Sequence, residues 1–201
     1  SEVIVGETFT FNGTLKDDMG NPLKAVLSFS FDGNIIETIE SDSNGYFENT
    51  YLVPNESVAG PNTIMITYIP DEFYLSSTSS WVLKVSHNIR IEMSEYETMT
   101  NSTEVISGFV FDKANRPVSN LEVRLSLDSG FPLIGKTNVE GKFSIDLQIP
   151  FGTSLGYHNL TVESLGNNYY IGNSTTSKLF VQGQTFLTLD IPASLEYKQE
   201  F

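Results

Sequence analysis

At 201 residues the chain has room for one large β domain or two ordinary ones, and 14 Phe and 9 Tyr within a 39% hydrophobic composition supply enough apolar surface for packed cores. Its 25 acidic against 11 basic residues give a net charge of -14, a field that repels phosphate backbones and anionic lipid headgroups and argues against nucleic acid as a partner. The absence of Cys excludes disulfides, thiolate metal sites and thiol nucleophiles, and no stretch approaches the ~20 apolar residues of a membrane-spanning helix.

In chain order, the first signals are Gly13-x-Leu15-x-Asp17 and the turn Gly20-Asn21-Pro22, followed by an alternating run, Ala25, Leu27, Phe29 and Phe31. Period two is the mark of a strand with one buried face. The turns Asp32-Gly33-Asn34 and Asn44-Gly45 come next, then Phe47, Asn49, Tyr51 and Val53 before Pro54, with Asn49 the imperfect position. Ile64, Ile66 and Tyr68 form a further strand, and Leu83 and Val85 a closing one.

A shift of 95 residues, then of 96 after one inserted residue, lays this pattern on the second half. Gly13 falls on Gly108, Asp17 on Asp112 and Pro22 on Pro117; later Gly45 falls on Gly141, Phe47 on Phe143, Pro54 on Pro150 and Tyr74 on Tyr170. The strands repeat as Leu121 to Leu127, Phe143 to Ile149, Leu160 to Ser164, and Leu179 with Val181. Two domains of one fold follow, over 1–86 and 87–183, joined by an expected linker near Ser86 to Asn101. The run from Thr103 to Phe111 is apolar on both faces, which a bulge or an interface would explain.

The repeated set Gly13-x-Leu15-x-Asp17, Gly20-Asn21-Pro22-Leu23, Asp42-Ser43-Asn44-Gly45-Tyr46-Phe47 and Tyr68 through Tyr74 to Val85 resembles bacterial and archaeal immunoglobulin-like (Ig-like) surface repeats. It is also similar to carboxypeptidase-regulatory and transthyretin-like sandwich domains. The resemblance implies an all-β fold of two tandem Ig-like Greek-key β-sandwiches. It also implies a non-catalytic structural role in an extracellular cell-surface protein, as part of a stalk, S-layer or filament. A Cys-free extracellular β protein points the same way, toward bacteria or archaea. The alternatives are an adhesin binding a glycan or protein ligand, and an accessory domain of a larger surface enzyme.

The repeat does not start and stop in phase with the chain. Ile89, Ile91 and Met93 form a strand-like run whose counterparts are Thr185, Leu187 and Leu189, so 184–201 reads as the first strand of a further repeat or a donor strand. Ser1 aligns near Tyr96, so one strand is wanting at the front. The expected partners are neighbouring Ig-like repeats, as in a window cut from a longer array, or copies of the chain itself joined head to tail.

Five Asn-x-Ser/Thr sequons, at Asn12, Asn55, Asn101, Asn159 and Asn173, are candidate glycosylation sites; Asn12 and Asn159 alternate with inward residues and the other three fall in expected loops or linkers. Asp17, Asp18, Asp42, Asp112, Glu92, Glu95 and Glu97 are candidate oxygen ligands for a Ca²⁺ between domains, although no EF-hand-type loop is present. No other cofactor is expected. The two histidines, His87 in the linker and His158 at a strand start, lack a nucleophile-elbow context, so no enzyme is expected. Lys24 and Lys178 are the lysines to check for an isopeptide crosslink, and Trp81, Phe73-Tyr74 and Tyr169-Tyr170 are core or corner aromatics, or else a carbohydrate-stacking surface.

Overall fold

Alternating apolar residues need a second layer to cover them, and the chain supplies it twice. The computed structural model describes residues 1–190. The first sandwich holds β1 (Glu2–Ile4), β2 (Thr8–Thr14), β3 (Val26–Phe31), β4 (Asn34–Glu40), β5 (Tyr46–Leu52), β6 (Gly60–Tyr68) and β7 (Thr78–Met93). The second holds β8 (Tyr96–Met99), β9 (Ser102–Asp112), β10 (Glu122–Leu127), β11 (Leu133–Lys136), β12 (Lys142–Ile149), β13 (Gly156–Gly166) and β14 (Tyr170–Gln182).

Both follow one plan. In the first, β4-β3-β6-β7 form one sheet with β1 parallel beside β7, and β2 pairs β5 in the other. In the second, β11-β10-β13-β14 form one sheet with β8 parallel beside β14, and β9 pairs β12. The plans differ at one place: the end of β7, Ile89 to Met93, adds a third strand against β9, and nothing among the described residues does the same for β2.

The repeated motifs are four copies of one five-residue turn. Asp17, Asp42, Asp112 and Asn138 each accept, through Oδ1, the backbone N–H groups two and four residues on. In each turn the fourth residue takes positive φ: Gly20, Gly45, Asn115 and Gly141. Asparagine is the non-glycine residue that tolerates this conformation best, which is why Asn115 stands where the first copy has glycine. The two turns of a domain are stitched by Leu15 N–H to Gly45 O in the first and Val110 N–H to Gly141 O in the second.

The cores fall where the alternation placed them, on Leu27, Phe29 and Phe31, and on Val123, Leu125, Phe143, Ile145, Leu147 and Ile149. Asn49, the imperfect position, is half-buried and donates its amide to Glu37 of β4. β9 runs in unbroken register along both neighbours, so no bulge accounts for its two apolar faces. Ile106 and Val110 point into the core, while Phe109 and Phe111 stack outside at 6.0 Å with the Arg90 guanidinium over Phe111. β4 and β11 left no alternating signal because both are largely exposed edge strands.

Residues 86–101 are not a linker. β7 runs through the expected boundary as a single 16-residue strand, and β8 follows after two residues. Leu83, Val85, His87, Ile89 and Ile91 are all buried in one phase, so the strand passes from one core to the next without changing face.

Candidate functional site

The junction concentrates the buried polar chemistry. His87, mid-way along β7, is fully buried. Its Nε2 lies 2.9 Å from the Ser57 carbonyl and 3.3 Å from Arg116 Nη2, while Nδ1 faces Asp112 Oδ2 at 3.5 Å without a hydrogen bond. Asp112, also buried, accepts Arg116 Nε at 2.8 Å, while Arg116 Nη2 and Nη1 donate to the carbonyls of Ser57 (2.7 Å) and Glu56 (3.1 Å). Lys113 Nζ reaches the Val5 carbonyl at 3.3 Å, and His87 N–H bonds Tyr169 O. The turn of the second sandwich thus grips the end loop of the first. Burial pushes the His87 imidazole below its ordinary range, opposed by the Ser57 carbonyl and Asp112 and reinforced by Arg116 and Lys113.

His158 presents the opposite case. Nδ1 sits 2.5 Å from Asp128 Oδ2, Nε2 sits 2.8 Å from the Ser154 carbonyl, and Ser154 Oγ is 3.4 Å from Nε2. These are the three residue types of a hydrolytic triad, but the geometry differs. Nδ1 faces the Asp128 carboxylate, and Nε2 lies nearer the Ser154 carbonyl, at 2.8 Å, than the Ser154 hydroxyl, at 3.4 Å, so the ring is aimed at the carbonyl. The group is a clamp between the Asp128 turn and β13. The Asp128 hydrogen bond, aided by the Ser154 carbonyl, raises the His158 pKa, and Asp128 is lowered by the same bond.

The two histidines should therefore titrate on opposite sides of the ordinary value of about 6.5. The folded pKa of His158 is raised, so its stabilisation is complete below 6.5 and is lost as pH rises through the folded value. That of His87 is lowered, so its contribution is complete above 6.5 and is lost as pH falls through the folded value. An NMR titration of the imidazole C2 protons reads both directly; the reverse order of midpoints would refute the assignment.

The other expected residues are dispersed. Asn12, Asn55, Asn101 and Asn159 are exposed, Asn101 at a positive-φ turn. Asn173 lies in β14 rather than in a loop, and its Nδ2, the atom a glycan would take, donates to Ile89 O at 2.8 Å. Asp17, Asp42 and Asp112 each close their own turn, Glu92 pairs with Arg90, and no group of three His, Asp or Glu suited to a metal occurs among the described residues. Lys178 Nζ bonds Asn159 Oδ1 at 2.6 Å, but both residues are exposed; Lys24 is exposed as well. Tyr170 packs on the second core and near His87, whereas Trp81 and Phe73 stand 61% and 84% exposed and so are not core residues. Thr185, Leu187 and Leu189 belong to no strand and are exposed; 191–201 lie outside the described residues.

A structure of the titin A168169 fragment is similar over 90% of this chain and 93% of its own, with a TM-score of 0.51 at 13% identity. A three-Ig structure of titin domains I67–I69 is similar over 90% of this chain and 62% of its own, with the same TM-score and identity. The chain is a tandem of two Ig-like β-sandwiches. At such identity the likeness is one of fold. No family model matches the chain, and no curated protein matches it.

The burial of His87 escaped sequence reasoning because a histidine interrupts the apolar run. The available signal was phase: Leu83, Val85, Ile89 and Ile91 keep the same parity on either side of it.

Proposed function

We propose that the chain is a non-catalytic, load-bearing module of a bacterial or archaeal extracellular surface protein, of the kind that builds stalks, S-layers or filaments. The observation that carries this is the strand path. In each sandwich an N-terminal strand lies parallel beside the C-terminal one, β1 against β7 and β8 against β14, and β7 itself continues into the next domain. Tension applied to the ends of parallel neighbours loads their hydrogen bonds in shear, so they must break together rather than one at a time. The His87-Asp112-Arg116 grip keeps the two sandwiches in series.

The surface supports an extracellular setting. Asn12, Asn55, Asn101 and Asn159 hold their side chains outward for glycan attachment, and the charge of -14 keeps a crowded surface protein soluble. Stretching single molecules by their ends tests the role. Two separate unfolding events, each at a distinct force maximum, are expected; extension without maxima would reject load bearing.

A further inference from the structure

The first sandwich carries an open groove. Between the outer edge of β2 and the start of β7 lies a cleft of about 330 Å³, lined by Gly13, Leu15, Phe47, Ile66, Ser77 and Trp81 among others, and largely apolar. In the second sandwich the corresponding space is filled. Ile89 to Met93 pairs there along β9 from Asp112 to Gly108, buries Ile89 and Ile91 in the core, and is held from the β14 side by Asn173 Nδ2 on Ile89 O and Ser177 Oγ on Ser94 O. By the repeat, Ser77 and Trp81 are the counterparts of Asn173 and Ser177, and Gly13 to Asp17 those of Gly108 to Asp112.

The consequences of the opening are visible in the first domain. Phe47 is only half-buried where Phe143 is fully buried, and Trp81 stands exposed at the rim. β14 starts at Tyr170, whereas its counterpart β7 starts four residues later, at Thr78, so that Tyr74 and Leu75 lie outside any strand. Tyr170 and Ile171 pair with His87 and Asn88 of β7, a pairing that Tyr74 and Leu75 lack among the described residues.

The chain also carries the piece that fits. Residues 184–190 are the repeat counterpart of 88–94, and Phe186, Leu187 and Leu189 stand 82%, 98% and 81% exposed with no strand pairing. We infer that residues 184–190 of one copy enter the groove of the first sandwich of a second copy as its third strand against β2, building a head-to-tail polymer by strand addition. The register follows from β7 and β9: Leu187 lies opposite Leu15 and Thr188 opposite Thr14, as Ile91 lies opposite Val110 and Glu92 opposite Phe109. Phe186 then faces Lys16 where the second domain pairs Arg90 with Phe111, the same cation and aromatic pair with the partners exchanged. Leu187 and Leu189 leave water, and the exposed edge that invites non-specific pairing is capped. A contact between two different ends of the molecule does not close, so it propagates.

The inference rests on the structural role proposed above but is tested apart from it. The chain has no cysteine, so Thr14→Cys with Thr188→Cys in the full 201-residue chain reports the register alone. Mild oxidation is expected to give a disulfide ladder, with peptide mapping showing position 14 of one copy joined to position 188 of the next. Leu187→Asp in the same background should abolish that linkage by placing a charge against the groove. Because Leu187 touches no core, this variant folds as the parent does. Thr14→Cys with Thr185→Cys, out of register, should not form it. A 14-to-188 linkage that is absent, confined within one copy, or indifferent to Leu187→Asp overturns the inference; the first two outcomes leave the groove to another segment, such as one preceding residue 1 in a longer chain. Failure here leaves the mechanical reading standing, and soft unfolding under force leaves the ladder unaffected.

Discussion

Asp112→Ala is expected to destabilise the second sandwich by about 2–4 kcal/mol, the cost of removing a buried carboxylate that accepts three hydrogen bonds, one of them from the 38% exposed Arg116 side chain. One side chain there accepts two turn N–H groups and the Arg116 guanidinium while facing His87. Its loss unravels the turn and releases Arg116, which then holds Ser57 and Glu56 without its anchor. Asp112→Asn separates the contributions. Asn138 shows that an amide oxygen closes the same turn, so this variant should keep the turn and lose only the charge, at about 1–2 kcal/mol. Asp17→Ala removes the equivalent turn in the first sandwich, on which the second sandwich does not pack among the described residues, and the loss should be smaller. Denaturant unfolding followed by domain-resolved NMR peaks measures all three; equal losses for Asp112→Ala and Asp112→Asn would remove the turn from the account.

The second large effect separates the two cores. Phe143→Ala is expected to cost about 3–5 kcal/mol, because the ring is fully buried and packs across Gly108, where an added Cβ would lie 2.5 Å from it. The glycine and the ring are one unit, repeated as Gly13 and Phe47. Phe47→Ala should cost distinctly less, because its ring borders the open groove and is only half-buried. In a thermal melt, Phe143→Ala should split the transition, with the second sandwich unfolding first. Equal costs at 47 and 143 would mean that the groove is closed in solution.

These particulars show what the sequence makes legible. The turn Asp or Asn, followed three residues on by Gly or Asn, is read easily because its spacing is fixed by backbone geometry, and four copies of it reveal the repeat. Strands with one buried face follow from their alternation, as along Phe143 to Ile149. What stayed hidden depends on tertiary neighbours. Residues 173–177 are a Ser/Thr/Asn run with no apolar alternation, and they are strand only because β13 pairs with them; for that reason Asn173 read as a loop residue. Trp81 looked like a core aromatic because its neighbours are strand formers, and its exposure follows from the unfilled place beside β2. The buried polar cluster drew residues 57, 87, 112 and 116 from three separate segments, and no local spacing joins them. The expected strand at 184–190 is unpaired within one copy, as an element needing a partner would be.

The load path through β7 is the claim most open to direct measurement, by stretching single molecules in two geometries. Attached through residues 1 and 184, the parallel pairs β1-β7 and β8-β14 are loaded in shear. Attached through residues 155 and 183, the antiparallel hairpin β13-β14, whose ends meet at Gly156 and Val181, is peeled one pair at a time. The expected result is a clearly higher unfolding force for the second sandwich in the first geometry than in the second. Equal forces in the two would contradict a structure built to carry tension.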